Sequence, residues 1–258
     1  MEKSLSTRCF EIKYSSDKVD NSLLREIHCH AQFEIIAILE GEITVLLEGN
    51  SYKLKSNQCA VIPPLSYHTV SANRRGNYKR FTALFDSSIL PIPLEECFKG
   101  NSLHISDSSA AQISRLRSLL DEENEGFYKP LADSLMIQML YDCISTEEKP
   151  SSALTEQMQR IVAYIDANIT KNITLDRIAQ ELSMSASSVS HIFKENMQVS
   201  PKQYILQKKL ALANSLIRSG VSPTVVAVQV GYDNYSNFYR MYKKYFDDCP
   251  TGSKEKQS

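Results

Sequence analysis

The sequence predicts an α+β protein of two domains: an N-terminal β-barrel carrying amphipathic dimerisation helices, and a C-terminal all-α domain of two helix-turn-helix motifs joined by a linker helix. Three observations carry this. Short bursts of β-branched and aromatic residues, broken by glycine, asparagine and proline, fill much of the first hundred positions. A helical period replaces them from Ser108 onward. The last hundred residues then hold one apolar pattern twice, with Ala179 and Ala227 in equivalent places 48 residues apart.

The barrel segments are FEIIAIL (33–39), EITVLLEG (42–49), SYKL (51–54), QCAVIP (58–63) and YKRFTALF (78–85). Gly41, Gly49-Asn50, Asn57 and Pro63-Pro64 punctuate them as turns. Strands this short and frequent predict a small barrel over 1–105. After it, Ile113, Leu116, Leu119 and Leu120, then Leu135, Met136, Met139 and Leu140, describe two amphipathic helices within 106–147. Their apolar faces need a partner, which the barrel and a second copy of the chain can each supply. The boundary falls in STEEKPSS (145–152), where Pro150 disfavours helix at Lys149.

Over 148–258 the elements are sharper. Leu175, Ile178, Ala179 and Leu182 form one helical stripe, Ser185 caps the next helix, and Val189, Ile192 and Phe193 are its inner face. The second copy has Ser222 as N-cap, Pro223 at the first helical position, and Val226, Ala227 and Val230 inside. Ser183 occupies the turn position that Gly231 fills. Asn234 caps the last helix, which turns Phe238, Met241, Tyr242 and Tyr245 inward. Between the copies, Ser200-Pro201-Lys202-Gln203 is a capping box opening a linker helix to about Ser219, with Ile205, Ala213, Leu216 and Ile217 inside. At ~1.5 Å per residue this helix spans roughly 27 Å, close to the ~34 Å between successive major grooves on one side of B-DNA.

The outer faces carry the chemistry. Ser187, Ser190, His191 and Lys194 share one face of the first recognition helix; Tyr235, Ser236, Asn237, Arg240, Lys243 and Lys244 form the outward set of the second. Arg pairs bidentately with guanine and Asn with adenine, while lysines neutralise phosphate. On either helix alone such residues describe a solvated surface; two matched copies with a spacer point to double-stranded DNA. Net charge of the whole chain is −1, which would argue against a nucleic-acid protein. From Ser151 onward, however, 13 Lys and Arg face 9 Asp and Glu, so the acid excess lies in the first 150 residues.

From Ile161 to Pro250 the chain resembles the DNA-binding domain of the AraC/XylS family of bacterial transcription regulators. The resemblance rests on Tyr164-Ile165 with Asn168, the run ITLDRIAQELSMSASSVSHIFK, the junction VSPKQYI, and GYDNYSNFYRMYKKYF followed by Pro250. It implies base-reading roles for Ser187, Ser190, His191, Tyr235, Ser236, Asn237 and Arg240. Gln198 stands where the family usually has glycine, and Ser253 where it usually has tyrosine. The resemblance also implies homodimerisation, a small-molecule effector such as a sugar, and, for an activator, contact with RNA polymerase.

In the barrel, His28-x-His30-x3-Glu34-x6-Gly41 resembles the first cupin motif and Pro63-Pro64-Leu65-Ser66-Tyr67-His68 the second, with Leu65 and Ala72 in place of the usual glycine and asparagine. If 28–34 is extended, His28, His30 and Glu34 point to one face, and with His68 they are donors suited to Fe, Mn, Ni or Zn. The reading preferred here is an effector pocket in which His28, His30, Glu34, His68 and Arg80 orient a small molecule, with no metal and no other cofactor. Arg80 as a surface cation is the competing assignment.

Six cysteines lack a C-x-x-C pair, no run of eighteen apolar residues occurs, and no signal segment opens the chain. A reduced, cytoplasmic protein that does not enter the membrane is expected. A one-component, non-enzymatic transcription regulator accounts for readers, charge split and barrel together. A metal-dependent cupin enzyme would leave the last hundred residues unused, and an architectural DNA binder would leave the first half unused.

Overall fold

A computed structural model of the chain describes residues 2–19, 28–72, 76–89, 94–98, 103–107, 110–120, 125–144, 146, 149–151 and 154–250. The chain divides into two compact units, residues 1–27 with 32–153 and residues 28–31 with 154–258. Parts of the linker at 145–152 and Ser253 lie outside the described residues.

The N-terminal unit holds β1 (Glu2–Ser6), β2 (Glu11–Val19), β3 (Phe33–Glu40), β4 (Glu42–Leu47) and β5 (Asn50–Lys55). There follow β6 (Gln58–Ile62), β7 (His68–Ala72), β8 (Gly76–Phe85), a short 3-10 turn (Ser87–Ile89), α1 (Leu94–Cys97), β9 (His104–Asp107), α2 (Ala110–Leu119) and α3 (Glu125–Ile144). A six-stranded sheet runs β1-β2-β8-β3-β6-β9 and a three-stranded sheet β5-β4-β7, with antiparallel pairing throughout. Because side chains alternate across a strand, β3 feeds two cores at once. Phe33, Ile35 and Ala37 join Ile12, Tyr14, Phe81 and Phe85 against Leu116, Met136 and Leu140 of α2 and α3. Ile36 and Ile38 join Ile43, Val45, Leu54, Val70 and Tyr78 in the interior shared by the two sheets. This explains why 35–39 is apolar without alternation: the strand is buried on both faces.

Three corrections to the sequence reading arise here. First, β1, β2, β7 and β9 are additional strands; in β2 the signal is a period of two, Ile12 and Tyr14 buried between exposed Glu11 and Lys13. Second, the β4–β5 turn is Glu48-Gly49, not Gly49-Asn50. Glu48 (φ 48°) and Gly49 (φ 82°) are both left-handed, the requirement of a tight two-residue hairpin, and Asn50 already pairs with Leu47. Third, 28–34 is not one extended run, since β3 begins at Phe33 and the backbone bends at 31–32 just before it.

The C-terminal unit is helical: α4 (Glu156–Ala167), α5 (Leu175–Glu181), α6 (Ala186–Met197), α7 (Pro201–Arg218), α8 (Pro223–Gln229) and α9 (Tyr235–Phe246). The caps sit where the sequence puts them. Ser185 Oγ accepts from Ser188 N–H at 3.0 Å, Asn234 Oδ1 accepts from Asn237 N–H at 2.8 Å, and Ser200 with Gln203 forms the capping box. Thr155 and Thr174 cap α4 and α5 in the same way. Ser222 departs from expectation: it holds the N-cap position without a side-chain bond to the helix, its Oγ lying 3.4 Å from Thr224 Oγ1 instead. Ser183 (φ 55°) and Gly231 (φ 79°) make the two equivalent left-handed turns. Val226, Ala227, Val230, Phe238 and Tyr242 pack on Leu210, Ala213 and Ile217 of α7. Phe193 of α6 meets Tyr204 of α7 edge-on, with ring centroids 5.1 Å apart.

Candidate functional site

On α6, Ser187, His191 and Lys194 are exposed and Ser190 is half-buried, while Val189, Phe193 and Met197 fill the core behind them. His191 Nδ1 lies 3.3 Å from a carboxylate oxygen of Glu195, one turn further on, with both side chains mostly in solvent. On α9, Ser236, Asn237, Arg240, Lys243 and Lys244 are exposed. Arg240 Nη2 donates to Asn237 Oδ1, which joins the two side chains on the exposed face of the helix. Tyr235 is half-buried, its ring packed 6.0 Å from Phe238 and 6.1 Å from Tyr239. It serves the core as much as the outer face.

What holds α9 in place was only partly legible in the sequence. Tyr242 donates its hydroxyl to Asn214 Oδ1 at 2.8 Å, tying α9 to α7, and burial pushes its phenol up to about 12. Two lysines of α7 point inward, which no periodicity predicted. Lys208 Nζ pairs with Asp166 of α4 at 2.6 Å. Lys209 Nζ donates to Lys171 O at 2.8 Å and Val230 O at 2.7 Å, and burial pushes its pKa down. A Cβ built on Gly231 would come within 2.7 Å of Thr170 O and 2.8 Å of Lys209 Nζ. The loop after α4, the linker helix and the turn before α9 therefore meet around one ammonium group.

In the N-terminal unit, Glu34 of β3 and His68 of β7 are buried and adjacent, His68 Nε2 lying 3.2 Å from Glu34 Oε2. His68 Nδ1 is 2.9 Å from Ser66 O, which can only accept, so Nδ1 carries a proton. The contact to Glu34 is then a hydrogen bond only with a second proton, on Nε2 or on the carboxyl group. The loop before β7 is fixed by the fully buried Glu48: its Oε1 accepts from Tyr67 N–H and its N–H donates to Tyr67 O, both at 2.8 Å. Leu65 in that loop is left-handed at φ 61°, the conformation that a glycine of the second cupin motif would supply without strain. Arg80 of β8 is buried, 4% exposed, and is not a surface cation. His28 and His30 belong to the segment grouped with the C-terminal unit, and their rings lie 5.7 Å apart. His28, His30, Glu34 and His68 offer donors of the types a metal ion accepts. All six cysteines are free thiols, and no helix among the described residues is long and apolar enough to cross a membrane.

Two family models match the chain: an AraC-like ligand binding domain over residues 15–140 and a helix-turn-helix domain over residues 178–255. The chain is 26% identical over 258 residues to the probable transcriptional regulator LumQ of Photobacterium leiognathi, covering 93% of this chain and 97% of that protein. It is 23% identical over 234 residues to the lactose operon transcription activator of Staphylococcus xylosus, covering 81% and 79%. Among solved structures, ToxT from Vibrio cholerae aligns over 94% of this chain and 97% of its own, with 14% identity and a TM-score of 0.41.

Proposed function

Because the chain belongs to the AraC family of transcription regulators, with a ligand-binding domain and a helix-turn-helix DNA-binding domain, we propose that each of its two recognition helices reads one major-groove segment of an operator. In this reading Ser187, Ser190 and His191 of α6 and Tyr235, Ser236, Asn237 and Arg240 of α9 face the bases. Lys194, Lys243 and Lys244 neutralise phosphate and carry no sequence information. The observation that carries the assignment is the hydrogen-bonded Asn237–Arg240 pair on the exposed face of a capped, well-packed helix. It displays a guanine reader and an adenine reader one turn apart.

Residues 1–105 sense a small molecule, 106–147 join two copies into a homodimer, and 148–258 bind DNA. His28, His30, Glu34, His68 and Arg80 orient the effector, with no metal and no catalysis. The relative named for the lactose operon supports a sugar or sugar-derived effector and an activating mode, with RNA polymerase as the further partner. Effector binding acts by differing in affinity between two states of the protein. Selection of genomic DNA fragments by the purified protein, repeated with Arg240→Ala and His191→Ala, tests this. A bipartite motif with half-sites about one helical turn apart, altered by each substitution, is expected. Salt-sensitive binding with no motif would leave an architectural protein.

A further inference from the structure

Arg80 lies on the inner face of the barrel. Its direct partners across the sheet are Ser15 of β2 and Ile38 of β3, and directly opposed residues share a face. Ile38 belongs to the interior core, as does Tyr78, two residues before Arg80 on the same strand. The guanidinium carbon lies 5.6 Å from the centre of the Tyr78 ring. Its Nε–H is buried and has no acceptor, and among the described residues no carboxylate pairs with the group. Glu34 and Glu48, the acids of this interior among the described side chains, are engaged elsewhere. Glu34 is opposite Leu84, four residues along β8 from Arg80 or ~13 Å at strand rise, and contacts His68. Glu48 holds the loop at Tyr67. The row between Arg80 and Glu34 is Thr82 opposite Ile36, which brings no charge. Ser15, itself buried, supplies only a hydroxyl.

A guanidinium removed from water without an anion is costly, and arginine does not shed its proton to escape the cost. Its edge with Nε–H and Nη–H is the geometry that takes both oxygens of a carboxylate. We infer that the effector is a small carboxylate, acidic sugars included, held by Arg80 inside the barrel. This rests on the effector-sensing reading of the N-terminal unit and narrows it: a neutral sugar leaves the cation uncompensated, whereas a sugar acid or small organic acid supplies the missing charge.

The test uses the full-length protein and its Arg80→Met and Arg80→Lys variants. Thermal unfolding without ligand comes first. Arg80→Met, which keeps the bulk and removes the charge, is expected to match or exceed the parent in melting temperature. A fall of several degrees would mean that the protein itself compensates the cation, and would overturn the inference. Parent and variants are then titrated with D-galacturonate, D-gluconate, benzoate and hexanoate, each against its neutral counterpart: D-galactose, D-glucose, benzamide and hexanamide. At least one acid should raise the melting temperature of the parent where its counterpart does not. That shift should vanish in Arg80→Met and survive in part in Arg80→Lys. A neutral sugar that stabilises parent and Arg80→Met alike would overturn the carboxylate while leaving an effector pocket in place. A panel without response to any acid counts against the carboxylate equally.

Discussion

Arg240 and Lys243 stand three residues apart on the exposed face of α9, yet their chemistry separates them. Arg240→Ala should cost ~1–3 kcal/mol at one base position and relax the preference there, whereas Lys243→Ala should weaken all sequences alike. A competition titration over operator variants distinguishes the two, and unchanged specificity in Arg240→Ala would remove the arginine from base reading. Two backbone positions make opposite predictions about stability. Gly231→Ala forces a Cβ onto Thr170 O and Lys209 Nζ at a left-handed turn, so a loss of more than ~1 kcal/mol in denaturant unfolding is expected. Gln198 closes α6 in the left-handed region at φ 58°, where a glycine would sit without strain. Gln198→Gly should therefore stabilise the helical unit by about 1 kcal/mol in the same assay. The sequence flagged this position correctly through its departure from the family pattern, because the backbone demand is local. Nothing local flagged Lys208 and Lys209, whose inward direction depends on α4 and on the turn after α8.

At the level of elements, helices and caps were easier to read than strands. Ser185, Ser200 and Asn234 each answer an amide three residues on, a relation contained within one turn of chain. The strands β1, β2, β7 and β9 hide because most of their residues are polar and their partners are distant: β2 pairs with β8 across some sixty residues of chain. The α7–α9 junction gives a pH prediction. The Tyr242 phenol is raised by burial to about 12 from its ordinary 10, so the folded unit favours the neutral form. Its contribution is present in full below pH 10 and is lost as pH climbs through about 12. Unfolding of the helical unit followed between pH 10 and pH 12 should show that loss. Tyr242→Phe should be less stable at neutral pH by ~0.5–1.5 kcal/mol, for want of the bond to Asn214, but should decline less over the alkaline range. An equally steep decline in Tyr242→Phe would assign the effect to another group.

For the whole molecule, the partition of charge matters more than its sum. The chain carries −1 in total, yet exposed Lys194, Lys243 and Lys244 concentrate positive charge on the proposed DNA-facing helices. Operator affinity should therefore fall steeply with salt, and removal of any one of these lysines should lower the slope of log affinity against log salt by about 1. A slope indifferent to all three would mean that other groups face the phosphates. Metal analysis of the purified protein addresses His28, His30, Glu34 and His68: sub-stoichiometric metal, and operator binding indifferent to chelator, are expected from an organic effector site.

By itself the sequence determined the α+β class, the duplicated helix-turn-helix plan and the linker helix with its capping box, since periodicity, capping and turn chemistry act over a few residues at a time. It also marked Glu34, His68 and Arg80 as candidates by residue type. Only the tertiary structure decided that Glu34 and His68 meet, that 28–34 is not one strand, and that Arg80 is turned inward rather than onto the surface. Those outcomes depend on which strands pair and which face each presents, and burial and electrostatic partnership arise only when segments far apart in the chain close over a shared interior.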